Sequence, residues 1–123
     1  MTINNRIEAF NRQRGLLDEF NRNVELAMLE EELREFKDAP NRHELIDVLD
    51  DIIVVATGAL FKLGIDPDLS MLETLTEIES RRQNPIQADN WLRNGSNGEK
   101  WLKDKNQCPE TLYQADYDDC GTK

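Results

Sequence analysis

The sequence predicts an all-α fold: a four-helix bundle completed by oligomerisation, with an extended C-terminal arm. Apolar residues recur at three- and four-residue spacing in four stretches before residue 83. Each stretch is bounded by capping or breaking residues. No strand hairpin signal of weight and no internal repeat interrupts them. Residues 1–83 are read as the helical domain and 84–123 as the arm.

The first helix follows from Ile3, Ile7 and Phe10 and ends near Gly15, after which Leu16, Leu17 and Phe20 make a short apolar connection. The second runs from about Asn21, its cap, to Lys37, with Val24, Leu26, Leu29, Leu33 and Phe36 as its stripe. Pro40 in DAPN ends it by disfavouring helix in the residue before. Asn41 caps the third, and Glu44 stands at the capping-box position. That helix continues to Leu63 and stops at Gly64, a residue suited to a left-handed cap. Its apolar residues occur nearly all round, so it should be the most buried element. Gly58 in its middle costs helix stability, which a close helix–helix approach would explain. DPDLS at 66–70 starts the fourth helix; Ser70 and Glu73 repeat the capping spacing, Met71, Leu72, Leu75 and Ile78 form the stripe, and the end falls near Arg82. From Asn84 the chain is polar, turn-rich and aperiodic, an arm ordered only where Trp91, Trp101 or Tyr113 pack.

With 123 residues and 14.3 kDa the chain is one domain. Acids outnumber Lys and Arg by 25 to 15, a net charge of −10. This balance excludes a sequence-independent nucleic-acid binder, which needs cations for phosphates, and suits a protein that gathers divalent cations. The longest apolar run, Ile52–Phe61, is too short for a bilayer, so no membrane partner is expected. MTINNRIEAFNRQRG has no apolar signal core, which points to the cytoplasm. Cys108 and Cys120, in the polar tail, are then expected to be reduced.

The stretch that carries chemistry is HELIDVLDDIIVV, residues 43–55. On a helix, Glu44, Asp47 and Asp51 fall within an arc of about 60°, with Asp50 to one side. Capping explains Glu44, and the positive helix end favours Asp47. Neither explains Asp50 and Asp51 against IIVV. The second helix carries a matching group, Glu30, Glu31, Glu32 and Glu35 in LEEELREF. A Glu-rich helix alone is usually a solvated face. A short loop makes the two helices antiparallel neighbours, however, so Glu32 and Glu35 face Asp47 and Asp51. Converging carboxylates need a counter-charge, and oxygen ligands without His or Cys select Mg²⁺ or Mn²⁺. His43 is read as a loop residue. A carboxylate-held Mg²⁺ with open positions typically receives substrate phosphates.

EExxE (Glu31, Glu32, Glu35) followed by an acidic DxxxD that leads into an apolar helix resembles the MazG-like all-α nucleoside triphosphate pyrophosphohydrolases. DVLDDIIVVATGALFKLGIDP is similar to their small, single-domain, phage-type members, and GEKWLK…PETL to the C-terminal arm of these. The resemblance covers residues 20–83 and, loosely, the tail. It implies a helical homodimer or homotetramer, in the host cytoplasm if phage-encoded, that hydrolyses (d)NTP to (d)NMP and pyrophosphate with Mg²⁺ and acts on deoxynucleotide pools. Glu32 and Glu35 then match the first metal-binding pair, and Glu31 a glutamate that orients or deprotonates the attacking water. Asp51 matches the aspartate that ends the family's ExxD element. The position three before it is Val48, not Glu, so Asp47 substitutes; Asp51 and Asp47 rank above Asp50, and Asp50 above Glu44. Arg81, Arg82, Lys100 and Lys103 occupy places where these relatives supply phosphate-binding side chains. Phe10, Gln13 and Arg14 are the residues expected to help read the base. Two alternatives remain. One is a phosphoribosyl-ATP pyrophosphohydrolase, which usually has EExxD and no long tail. The other is a non-catalytic nucleotide- or metal-binding bundle, disfavoured by the intact acids.

Overall fold

The computed structural model describes residues 2–80 and 112–122. These contain four α-helices and no strand: α1 (Ile3–Gln13), α2 (Arg22–Asp38), α3 (Arg42–Lys62) and α4 (Pro67–Ser80). They form two compact units, residues 1–69 with 120–123, and residues 70–119.

Local chemistry fixes the ends of each helix. The Thr2 hydroxyl accepts from the Asn5 amide at 3.0 Å at the start of α1. Gly15, at φ 67°, turns the chain out of it. Asn21 Oδ1 accepts from the amides of Asn23 and Val24 and caps α2. Ala39, forced toward extended backbone by Pro40, ends α2 at φ −61°, ψ 122°. Only residues 39–41 separate α2 from α3, and Asn41 Oδ1 accepts from the Glu44 amide at 2.9 Å. At the far end of α3, Gly64 has φ 75°; its amide donates to Phe61 O and the Ile65 amide to Leu60 O. This is a Schellman motif built on the glycine.

In the first unit α3 packs against both α1 and α2. Its interior holds Ile7 and Asn11 of α1, Glu25 of α2, and Val48, Thr57 and Gly58 of α3. The close approach inferred at Gly58 is to α1: a Cβ there would stand 3.2 Å from Asn11 Nδ2. α3, read from the sequence as the most buried element, contributes Val48, Thr57 and Gly58 to the interior but leaves part of its apolar surface open. Ile46, Leu49 and Ile53 of α3, and Leu63 just after it, keep about half their surface exposed; among the described helices, α1 and α2 make the main contacts with α3. The stripe of α2 is likewise open at Val24, Leu26, Leu33 and Phe36.

Residues 120–122 return to this unit. Ile65 and Gly121 form an isolated antiparallel bridge, Asp66 N donates to Cys120 O at 2.7 Å, and Thr122 N to Gly64 O at 2.8 Å. Cys120, read from the sequence as part of a polar tail, is buried.

The start of α4 corrects the sequence reading. Its cap is Asp66, whose Oδ1 accepts from the Asp68 amide at 2.9 Å, with Pro67 at the first helical position. Ser70 lies inside the helix and is buried. Proline at that position, with its φ already helical, starts the helix a turn earlier than the Ser70–Glu73 spacing suggested. In the second unit residues 113–117 run beside α4. Tyr113 N donates to Ser80 Oγ at 2.9 Å, Ala115 N to Glu77 Oε1 at 3.2 Å, and the Tyr113 hydroxyl bonds Glu73. The Tyr117 hydroxyl meets Thr74 Oγ1 at 2.8 Å. The expected helix end near Arg82, Trp91, Trp101 and Cys108 lie outside the described residues. No described helix is long and apolar enough to cross a membrane.

Candidate active site

The short 39–41 connection brings the last turns of α2 beside the first turns of α3. One oxygen each from Glu32, Glu35 and Asp51 lie within 4.8 Å of one another. Glu35, Asp47 and Asp51 line one cleft of about 520 Å³, together with Glu44, Asp38 and the Ala39–Pro40 turn. Asp47 thus shares the cleft but not the tight three-residue cluster. Glu31 and Asp50 are exposed; Glu31 adds negative charge at Glu32, and Asp50 at Asp51. His43, expected in a loop, is an exposed residue of the first turn of α3, because Asn41 starts the helix before it. Arg82, Lys100 and Lys103 lie outside the described residues.

The electrostatics of this cluster are unfavourable without a cation. Glu32 has its pKa raised by burial first, then by the charges of Glu35 and Asp51, by proton sharing with Glu35, and by Glu31. Asp51 is raised by burial, then by Asp47, Glu35 and Asp50. Glu32 Oε2 is buried with no hydrogen-bond partner. None of these acids forms an ion pair with a described lysine or arginine. A buried carboxylate oxygen without a donor, among like charges, is an arrangement that folded proteins avoid unless a ligand answers it. The donor set, carboxylate oxygens alone, fits a hard divalent cation.

Asp51 also opens on a second, more apolar cleft of about 410 Å³, walled by Ile3, Arg6, Ile7 and Phe10 of α1 and Val54 of α3. Sequence reasoning did not single out Arg6. It stands beside the Ile3–Ile7–Phe10 stripe, but its position near Asp51 depends on the packing of α1 on α3, which no local pattern encodes. Arg14 lies over the Phe10 ring, 4.1 Å from its centroid.

An all-helical body that brings carboxylates alone to one cleft is consistent with the MazG-like all-α pyrophosphohydrolases. The family model described as phosphoribosyl-ATP pyrophosphohydrolase matches residues 6–79, and the chain belongs to that family. The match includes all but the first residues of α1 as well as the acidic helices, so it begins earlier than the resemblance read from residue 20. No curated protein and no solved structure matches the chain.

Proposed function

We propose that the protein is a Mg²⁺-dependent nucleoside triphosphate pyrophosphohydrolase, converting (d)NTP to (d)NMP and pyrophosphate. The observation that carries this reading is the convergence of Glu32, Glu35 and Asp51 with an orphaned, buried Glu32 oxygen. Glu32, Glu35 and Asp51 would hold the cation, with Asp47 on the cleft wall and Asp50 at the margin. What Mg²⁺ or Mn²⁺ supplies when bound is neutralisation of phosphate charge and a more acidic water. Glu31 would orient that water and accept its proton. The water oxygen bonds to the α-phosphorus, the bond from that phosphorus to the α–β bridging oxygen breaks, and pyrophosphate leaves. Arg6, in the cleft that it shares with Asp51, would meet phosphate charge, as would Arg82 at the end of the helical domain and Lys100 and Lys103 of the arm. Most of the rate should come from positioning and charge stabilisation.

The open apolar faces of α2 and α3 support a homodimer or homotetramer, since exposed contiguous apolar surface marks association. Phosphoribosyl-ATP is the second substrate reading, favoured by the family description itself. Pyrophosphate release, measured with Mg²⁺ over the eight common (d)NTPs and phosphoribosyl-ATP, separates them. Release from phosphoribosyl-ATP alone would replace the first reading, and no release from any would leave a binding protein.

A further inference from the structure

A smaller cavity, about 170 Å³, lies further along α3 and includes Asn11, Glu25, Gly58 and Lys62 among apolar neighbours such as Leu16 and Met28. Two of its polar groups are unanswered. Glu25 is 5% exposed; its Oε1 accepts from Lys62 Nζ at 2.7 Å, while Oε2 is buried without a partner. Asn11 is 7% exposed, and its Nδ2 is likewise buried without a partner. The absence of a Cβ at Gly58 leaves the space that the Asn11 amide occupies. A desolvated donor and a desolvated acceptor, carried by two residues that line this chamber, form a complementary pair that a ligand with the opposite pair would satisfy.

The position of the chamber says which ligand. Phe10 and Val54 line both this cavity and the cleft containing Asp51. Val54 and Gly58 follow Asp51 by three and seven residues, so they continue its helix face for about 10 Å along the axis. A nucleotide with its phosphates at the acids would carry its base in that direction and over that distance.

We infer that this chamber is the nucleobase subsite: Asn11 Nδ2 donates to a ring nitrogen or carbonyl of the base, and Glu25 Oε2 accepts from the adjacent N–H. Lys62 fixes the other carboxylate oxygen, so the free one is aimed and remains an acceptor. Leu16, Met28 and Phe10 give the ring its apolar walls. The inference rests on the nucleotide reading above. The volume is on the scale of a base and not of a whole nucleotide.

Calorimetric titration of the full chain with Mg²⁺ tests this, using the AMP, GMP, CMP and UMP series, their deoxy forms with dTMP, and inorganic tripolyphosphate as a base-free probe. The wild type should prefer one base. Asn11→Ala should weaken that monophosphate about tenfold, the cost of one lost hydrogen bond, level the preference, and leave tripolyphosphate affinity unchanged. Glu25→Gln, which adds a donor where only an acceptor stood, should move the preference to a different base. If that variant fails to fold, Asn11→Ala decides alone, since it leaves the Glu25–Lys62 pair intact. Equal affinity for all bases in the wild type overturns the subsite. So does an Asn11→Ala protein with altered melting but unchanged preference, the signature of a cavity that holds structural water. Pyrophosphate release with the same base preference in Asn11→Ala would sink the subsite and keep the hydrolase. An Asn11-dependent base preference without any pyrophosphate release would do the reverse.

Discussion

Asp51 is the residue on which the clefts converge, with Glu32 and Glu35 against it and the wall of α1 on its other side. Replacing Asp51 by Asn, or Glu35 by Gln, should lower pyrophosphate release by about two orders of magnitude or more with the fold kept. Thermal melting and circular dichroism would separate this from unfolding, and full activity in both variants would remove the assignment. The raised pKa values of Glu32 and Asp51 also set a sign for pH dependence. Each group binds its proton more tightly folded than unfolded, so folding takes up protons. Their contribution to metal-free stability is therefore best below the ordinary carboxylate range. It declines as pH rises from the unfolded values through the raised folded ones, and the full penalty stands above them. In EDTA the melting temperature should fall over that window, and the fall should be shallower in Asp51→Asn. Excess Mg²⁺ should raise the melting temperature most at neutral pH, by mass action on the folded state. Coincident melts in EDTA and Mg²⁺ would count against a cation site.

The helices show what a sequence can and cannot disclose. Caps are local, so Asn21, Asn41 and Gly64 were legible as single residues, and the structure uses all three. Gly64→Ala should cost about 1–2 kcal/mol, because an L-residue is strained at φ 75°. Asn41→Ala should cost about 1 kcal/mol for the lost cap. Urea denaturation measures both. Ser70 was misread because two capping patterns overlap there, and the Asp66–Pro67 pair prevails. The convergence of the acids was legible as far as periodicity gives a face and a short connection gives a neighbour. Ranking Asp47 beside Asp51 reached the cleft but not the tighter cluster, since a face does not say how deep each residue sits. Asn11, Glu25 and Lys62 were not legible at all. They are separated by 14 and 37 positions, and Glu25, a single acid between Val24 and Leu26, carries no local pattern that marks it.

At the scale of the whole molecule, Leu33 of α2 and Ile53 of α3 keep 58% and 56% of their surface open. If the proposed oligomer covers them, Leu33→Glu or Ile53→Glu should shift sedimentation toward the monomer mass, and a wild-type monomer would refute the assembly. Cutting the chain after residue 83 should lower stability as well as alter nucleotide kinetics, because Cys120 is buried and residues 120–122 bond to the α3 terminus. That return has a consequence for the order of synthesis. The pairing of Ile65 with Gly121 waits for the chain between them, which at ordinary translation speed takes about 3–10 s to make. During that interval the end of α3 lacks the 120–122 segment that later bonds to residues 64–66, and the apolar faces of α2 and α3 are unpartnered. Those seconds are when chaperones or a second nascent copy would reach those faces most easily. Slowing translation across residues 84–119 should therefore raise aggregation in the cell without changing a single contact of the finished protein.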